Sequence, residues 1–303
     1  MEQNFETCLY NVVDAAKVQK DEPMKKHTTF RIGGPADYFI MPSNEKELAE
    51  TIRVCREFSI PIYIVGNGSN LLVGDKGFRG AIIQLYKSMG TFQVEGNQIT
   101  AQAGCSLAQI ANAALDAALT GFEFAAGIPG TLGGAVVMNA GAYGGEMKDV
   151  LETVNVLTRD GDVKTLTKDE LELGYRTSVI AKKDYIVLSA VIRLENGKKE
   201  EIKAVMDDLK EKRITKQPLE YPSAGSTFKR PEGYFAGKLI QDAGLRGFQV
   251  GGAQVSEKHC GFVVNKDQAT AADVMNLMNQ VSDKVYEMSG VRLEPEVKRL
   301  GVF

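Results

Sequence analysis

The sequence predicts an α+β protein with more than one domain. Its 303 residues exceed the roughly 100–200 residues of a typical domain. The first half alternates segments of helical periodicity with short apolar segments typical of strands. The last third again mixes both patterns. A charged segment of helical periodicity precedes Pro218, which marks the candidate start of a later domain.

Helices and strands are placed by capping patterns, periodicity and turn residues. Helices are expected after Asn44 (capping box with Glu47), from Ser106 (capping box with Gln109) to Gly121, at 198–216, at 236–240, and from Thr270 (with Asp273) to Gly290. Strands are expected at 61–65, 81–85, on both sides of Asp160-Gly161, at 185–194, 249–255 and 261–264, with an extended tail at 291–301. Asp-Gly between two such segments is a strong hairpin signal.

The composition excludes several classes of protein. The formal net charge of −3 gives no overall field that attracts nucleic acid or an anionic membrane. The four cysteines are far apart and two histidines accompany them, so no zinc-site spacing exists and we expect no metal. The N-terminus contains acids and no long apolar segment, which argues against a signal peptide or a membrane span. We expect a cytoplasmic monomer.

Two glycine-rich segments indicate a ligand. GNGSN at 66–70 follows a predicted strand, and its consecutive N–H groups can form an anion-binding concavity suited to a pyrophosphate. It is neither a Rossmann fingerprint nor a P-loop, so a plain tight turn is the alternative. GIPGTLGGAVVMNAGAYGG at 127–145 combines glycine with apolar residues. This favours a loop packed against a flat or extended ligand, with close structural packing as the alternative.

Five motifs in order resemble one family. GNGSNLL at 66–72, GIPGTLGGAVVMNAGAYG at 127–144, LGYRTS at 173–178, PSAGSTFKRP at 222–231 and LEPEV at 293–297 are similar to those of UDP-N-acetylenolpyruvoylglucosamine reductases, also called UDP-N-acetylmuramate dehydrogenases. The similarity extends from about His27 to the C-terminus. The short interval after LGYRTS places the chain in the branch that lacks an extra tyrosine-bearing loop. Arg230 stands where many relatives have asparagine, and we assign it no role.

The resemblance implies a vanillyl-alcohol-oxidase-like (PCMH-type) fold with a two-part FAD-binding region and a smaller α+β substrate-binding domain. It implies FAD-binding domain 1 at 1–80 with the tail 291–303, FAD-binding domain 2 at 81–217, and a substrate-binding domain at 218–290. The implied cofactors are FAD and NADPH, and the implied substrate is a UDP-sugar. In the implied reaction, NADPH reduces FAD, the reduced flavin passes hydride to C3 of the enolpyruvyl ether, and a proton is added at C2. The implied product is UDP-N-acetylmuramate, which is used in peptidoglycan synthesis and so contributes to cell shape and division.

The resemblance also assigns residues. The expected cofactor-binding residues are Gly66, Asn67, Gly68, Ser69, Asn70, Leu71, Gly127, Ile128, Pro129, Gly130, Gly133, Gly134, Asn139, Gly141 and Gly144. The expected substrate-binding residues, some of which contact the nicotinamide cofactor in relatives, are Tyr175, Arg213, Lys216, Gly225 and Lys229. The expected catalytic residues are Arg176, Ser226 and Glu296. His27 and His259 have no assigned role.

The chemistry of the implied reaction supports the three expected catalytic residues to different degrees. The guanidinium of Arg176 suits the negative charge that develops on a carboxylate, although a surface ion pair is its alternative. A carbanion-like carbon is basic enough to take the proton of Ser226, which could otherwise be a turn residue. Glu296 makes sense near an enolate if it is protonated, or if it polarises a hydrogen-bonded partner. Glu294 is its rival, since both point to one face of an extended segment.

Two other functions remain open from the sequence. One is a different flavin oxidoreductase of the same superfamily, such as an alcohol or hydroxy-acid oxidase. The other is a nucleotide-binding or UDP-sugar-binding regulatory protein without turnover.

Overall fold

The computed structural model describes residues 4–303, which form two compact units. The first unit comprises the residues up to Gln19, Phe39–Asn67 and Ala81–Arg213. The second unit comprises Lys20–Tyr38, Gly68–Gly80 and Ile214–Phe303. Each unit combines helices and strands, which confirms the α+β class. The three-domain division expected above stays a prediction.

The elements have the following bounds. The helices are α1 Phe5–Tyr10, α2 Glu45–Glu57, α3 Leu107–Asp116, α4 Leu132–Met138, α5 Met147–Val150, α6 Val179–Lys183, α7 Lys199–Lys216, α8 Ala236–Asp242 and α9 Ala271–Ser289. The strands are β1 Val18–Pro23, β2 Pro35–Ile40, β3 Ile62–Val65, β4 Leu71–Val73, β5 Phe78–Gln84, β6 Phe92–Glu95, β7 Gln98–Gln102, β8 Leu119–Thr120, β9 Gly141–Ala142, β10 Gly145–Glu146, β11 Leu151–Leu157, β12 Val163–Thr167, β13 Ile186–Arg193, β14 Glu195–Asn196, β15 Ser223–Ser226, β16 Gln249–Val250, β17 Ala253–Val255, β18 Phe262–Asn265 and β19 Lys298–Leu300.

The first unit is built on a five-stranded antiparallel sheet in the order β12-β11-β13-β7-β6. The β11–β12 hairpin turns at Asp160-Gly161 as predicted, with Gly161 at φ +93°. Helices α3 and α4 contribute to the apolar core of this unit through side chains such as Ile110 and Leu132, both fully buried. Also within the first unit, residues 62–65 of β3 pair in parallel with residues 81–84 of β5.

The second unit contains an antiparallel sheet in the order β15-β18-β17-β16 and the helices α8 and α9. Helix α9 begins with the predicted capping box of Thr270 and Asp273. The carboxylate of Asp75 accepts two more N–H groups of its first turn. Near the C-terminus, β19 pairs in parallel with β4, so the tail returns to the segment that follows loop 66–70.

Three expectations about elements are wrong. Helix α3 ends at Asp116 and not at Gly121, because Ala118 takes a left-handed conformation and residues 119–120 pair with β14. The segment 249–255 is two strands, since Gly251 turns at φ +53°. The glycine-rich segment 127–145 is not a loop throughout, because α4 lies at its centre. Among residues 4–303, no helix is long and apolar enough to cross a membrane.

Candidate active site

The first glycine-rich loop, at 66–70, offers four successive backbone N–H groups. Those of residues 67–70 donate no hydrogen bond to any residue that the structure describes. The loop is fixed by other groups: the Gly68 carbonyl accepts from the Thr29 N–H at 3.3 Å, and Asn67 Nδ2 donates to the Pro129 carbonyl at 2.8 Å. Gly68 is buried and Asn67, Ser69 and Asn70 are half-buried, and a run of successive N–H groups left free by the described residues is typical of an anion-binding concavity.

The second glycine-rich segment uses its glycines mainly for close packing. Thr131 caps α4, and a Cβ on Gly66 would lie only 2.2 Å from Thr131 Oγ1. A Cβ on Gly133 would lie 3.0 Å from the Cβ of Ala103, and the Gly133 N–H donates to the Ala103 carbonyl at 2.9 Å. The structure therefore favours the packing alternative for this first turn.

A hairpin turn at the end of this segment lies near a half-buried arginine. Between β9 and β10, Tyr143 and Gly144 have φ of +53° and +95°, as a type I′ turn requires. A Cβ on Gly127 would lie 3.2 Å from Arg213 Cδ and Nη1. Burial lowers the pKa of Arg213, and the Tyr143 phenol opposes this shift. The expected site residues Gly127 and Arg213 are thus neighbours, whereas Lys216 is exposed at the end of α7.

Arg176 lies in a tight turn with a strained backbone. The N–H of Gly174 donates to the carbonyl of Thr177 at 3.1 Å, and the reverse bond measures 3.3 Å. Arg176 has φ +56°, a left-handed conformation that costs about 1–2 kcal/mol for a residue with a Cβ. Its guanidinium carbon lies 5.1 Å from the ring centre of the exposed Tyr175. Strain of this kind clusters at functional sites, which makes the turn a candidate for a functional role.

A β-bulge presents Ser226 at the end of β15. Ser223 pairs with Val264 but Ser226 pairs with Phe262, so the strand has one extra residue. Gly225 provides the bulge with φ +77°, and a Cβ there would meet nothing within 4 Å. The backbone conformation, not packing, therefore requires glycine at 225. Bulges of this kind redirect a side chain, and Ser226 is exposed.

The C-terminal segment folds back beside Ser226. The N–H of Glu296 donates to the carbonyl of Thr227 at 2.9 Å, one residue after Ser226. Asn70 Nδ2 donates to the Glu296 carbonyl at 3.3 Å. Thr227 is 1% exposed, and its Oγ1 accepts the Val263 N–H at 2.8 Å. Two of the three expected catalytic residues thus lie on adjoining segments of the second unit, and Arg176 belongs to the first unit.

The two rival glutamates have different surroundings. Glu294 has a side chain that is 73% exposed, and it forms an ion pair with Lys229 at 3.0 Å. Glu296 is half-buried. A surface ion pair of this kind contributes little and gives Glu294 an ordinary role. The surroundings therefore favour Glu296 as the functional member.

The remaining singled-out residues have local partners. Arg230 stacks on Phe235, with 3.9 Å between its guanidinium carbon and the ring centre. His27 Nε2 lies 2.9 Å from a carboxylate oxygen of Glu22. His259 Nδ1 accepts the Gly261 N–H at 3.1 Å, and burial lowers the pKa of this histidine. Residues 4–303 contain no cluster of three His, Cys, Asp or Glu side chains arranged for a metal ion.

Comparisons with known proteins agree along the whole chain. Residues 36–167 match the family "FAD binding domain", and residues 217–300 match "UDP-N-acetylenolpyruvoylglucosamine reductase, C-terminal domain". The UDP-N-acetylenolpyruvoylglucosamine reductase of Agathobacter rectalis is 56% identical over 100% of both chains. The chain belongs to the UDP-N-acetylenolpyruvoylglucosamine reductase family. The resemblance stated from the sequence is thereby confirmed, and the chain is an oxidoreductase with an FAD-binding domain.

Other relatives extend the comparison to structures. The reductase of Clostridioides difficile is 51% identical over 99% of this chain and 98% of that protein. The crystal structure of the reductase from Thermus caldophilus has a TM-score of 0.81 at 37% identity, over 93% of this chain and 98% of that one. The grass pollen allergen Phl p 4 shares part of the fold at 16% identity, with a TM-score of 0.50 over 64% of this chain and 44% of that one.

The residues present fit the FAD that the family implies. The N–H groups at 67–70, which have no partner among residues 4–303, could receive a pyrophosphate, and a Cβ on Gly144 would meet open space. Not every expected cofactor residue fits equally. The Gly133 N–H already donates to a protein carbonyl, and both side-chain donors of Asn139 are used within the protein.

Sequence reasoning missed two positioning residues. Thr131 is buried, caps α4 and contacts Gly66. The sequence signal for a helix cap was a threonine before an apolar segment, but the many glycines in that segment argued against a helix. Thr227 is the buried residue that joins the Ser226 strand to the C-terminal segment. The sequence gives no sign of this role, because it depends on contacts distant along the chain.

Proposed function

We propose that the chain is an NADPH-dependent flavoenzyme that reduces UDP-N-acetylglucosamine enolpyruvate to UDP-N-acetylmuramate, a step of cytoplasmic peptidoglycan synthesis. The observation that carries the proposal is the full-length match at 56% identity to a UDP-N-acetylenolpyruvoylglucosamine reductase. Bound FAD would supply the hydride, with loop 66–70 and the 127–145 segment as the residues that hold it.

Arg176 would bind and stabilise the substrate carboxylate. Negative charge develops at C2 and spreads into this group when hydride adds to C3. A guanidinium binds a carboxylate through two parallel hydrogen bonds. The tight turn fixes the backbone from which the arginine extends, and a preorganised donor is worth on the order of 10²–10³ in rate. Tyr175, Arg213, Lys216 and Lys229 are proposed contacts of the UDP-sugar or the nicotinamide.

Ser226 would donate the proton to C2, and Glu296 would assist it. The bulge at Gly225 supports this role, because it presents the Ser226 hydroxyl on an exposed end of β15. The hydrogen bond between Glu296 and Thr227 holds the carboxyl-bearing segment beside that strand. A positioned acid contributes roughly 10²–10⁴-fold in rate. In this proposal Glu296 acts protonated, or by polarising a hydrogen-bonded partner.

The experiment follows the flavin colour under anaerobic conditions. The purified chain should be yellow or take up FAD, NADPH should bleach it, and the enolpyruvyl sugar nucleotide should restore the colour. Bleaching by an alcohol or hydroxy acid in place of NADPH would instead identify another flavin oxidoreductase. A colourless chain that takes up no FAD would overturn the proposal and favour a binding protein.

A further inference from the structure

The turn that carries Arg176 is tied at both ends to the C-terminal part of α4. At its start, Asn139 Nδ2 donates to the Gly174 carbonyl at 3.2 Å. Just beyond its end, Ser178 Oγ donates to the Val137 carbonyl at 2.8 Å. Asn139 is 1% exposed and Ser178 is 0% exposed. Buried hydrogen bonds of this kind are costly to break, because the groups left behind cannot reach water.

The Asn139 side chain serves the protein's own structure. Its second Nδ2 hydrogen bond goes to Glu146 Oε2 at 2.7 Å, and its Oδ1 accepts the Lys148 N–H at 2.9 Å. A primary amide has two donor hydrogens, so both are used within the first unit. The backbone of Asn139 is left-handed at φ +42°, as the C-cap of α4, a position that asparagine tolerates.

The position of these bonds matters because the turn is strained. A left-handed arginine persists only where its surroundings hold it, and Arg176 has φ +56°. The carbonyl that Asn139 holds belongs to Gly174, whose N–H and carbonyl also close the turn. If this carbonyl were released, the turn could relax toward ordinary backbone angles and the direction of the Arg176 side chain would change.

We propose that Asn139 is a positioning residue that holds the Arg176 turn in its left-handed conformation and so directs the guanidinium toward the substrate. The inference rests on the function proposed above for Arg176. It gives Asn139 a different role from the cofactor contact expected from the sequence.

The test compares Asn139→Gly with a matched control, Asn155→Ala. Glycine keeps the left-handed C-cap and removes only the side chain. Asn155 belongs to the same unit, and its side chain makes two hydrogen bonds, with Ser189 Oγ at 3.1 Å and Thr165 Oγ1 at 2.7 Å, against three for Asn139. Neither partner belongs to the Arg176 turn. If Asn139→Gly fails to fold, Asn139→Asp replaces it, because aspartate keeps the shape and lacks the amide donors.

Two measurements are made on each variant. In the protein without flavin, backbone amide NMR shifts of residues 174–177 should change in Asn139→Gly and stay unchanged in Asn155→Ala. In the flavin-loaded protein, stopped-flow reoxidation by the enolpyruvyl sugar nucleotide should slow by about 10–100-fold in Asn139→Gly, since small misplacement of a positioning group has effects of this size. In Asn155→Ala it should change less than about twofold.

A double-mutant cycle with Arg176→Ala separates the possible outcomes. If Asn139 acts through Arg176, Asn139→Gly should add less than about twofold to the effect of Arg176→Ala, because coupled residues are not additive. A full additional effect, normal reoxidation in Asn139→Gly, or equal slowing in Asn155→Ala would overturn the inference. Normal reoxidation in Arg176→Ala would instead overturn the function proposed for Arg176.

Discussion

The close approach of Gly68 to the neighbouring backbone can be tested with Gly68→Ala. A Cβ at this position would lie 2.1 Å from the His27 carbonyl oxygen, and the residue has φ +60°. The left-handed conformation costs about 1–2 kcal/mol for alanine. The shifts in structure that would relieve the clash cost about 1–3 kcal/mol more, as at other overpacked sites. We therefore expect a total loss of about 2–5 kcal/mol in the free energy of unfolding.

Gly96→Ala is the matched control for this variant. Gly96 has nearly the same φ, +58°, but a Cβ there would meet nothing within 4 Å. Only the conformational cost of about 1–2 kcal/mol applies. The difference between the two variants isolates the contact with the His27 carbonyl.

Urea unfolding of the flavin-free protein and fluorescence titration with FAD measure the two consequences. Gly68→Ala should unfold at a lower urea concentration than Gly96→Ala and should weaken FAD binding by at least about tenfold, which corresponds to about 1.4 kcal/mol. Gly96→Ala should bind FAD like the unaltered protein. Equal stability of the two variants would refute the steric reasoning. Normal FAD affinity in a destabilised Gly68→Ala would show that loop 66–70 is only structural.

Four further substitutions have defined outcomes. The pKa of Asp273 is lowered mainly because its carboxylate accepts the Thr270 N–H. This carboxylate therefore stabilises the fold at a pH above its unfolded pKa of about 4. The stabilisation is lost as the pH falls through the lower pKa of the folded state. Asp273→Asn should flatten the acid limb of a urea-midpoint profile, and an unchanged limb would contradict this. Gly225→Ala should destabilise the fold by about 1–2 kcal/mol. In stopped-flow experiments it should slow flavin reoxidation but not flavin reduction by NADPH. If both half-reactions stay fast, the bulge does not direct Ser226. Glu296→Gln should slow flavin reoxidation by at least about 10²-fold, whereas Glu294→Gln should slow it by less than about twofold. If Glu294→Gln has the larger effect, Glu294 is the functional glutamate.

Local signals were sufficient for most helices and for the hairpin at Asp160-Gly161. The capping boxes at Ser106 and Thr270 begin real helices, because a cap satisfies N–H groups by contacts within three residues. The turn at Asp160-Gly161 also formed as predicted. The end of α3 was not predicted correctly, because the left-handed residue that ends this helix is Ala118 and not a glycine.

Tertiary contacts decided what the sequence could not. Helix α4 was missed because glycine is a poor helix former, yet Gly133 lies in its first turn to let the helix approach Ala103. Spacing alone could not separate Glu294 from Glu296, whereas the exposure of Glu294 and its ion pair with Lys229 favour Glu296. The left-handed Arg176 could not be foreseen from LGYRTS, because distant residues such as Asn139 hold it.

Stopped-flow kinetics of Ser226→Ala tests the central claim most directly. We expect near-normal bleaching of the flavin by NADPH, because the hydroxyl has no part in that half-reaction. Recovery of the colour with the enolpyruvyl sugar nucleotide should slow by about 10²–10⁴-fold, the range of a positioned proton donor. If both half-reactions stayed fast, Ser226 would not be the donor, and the role given to the bulge at Gly225 would be wrong with it.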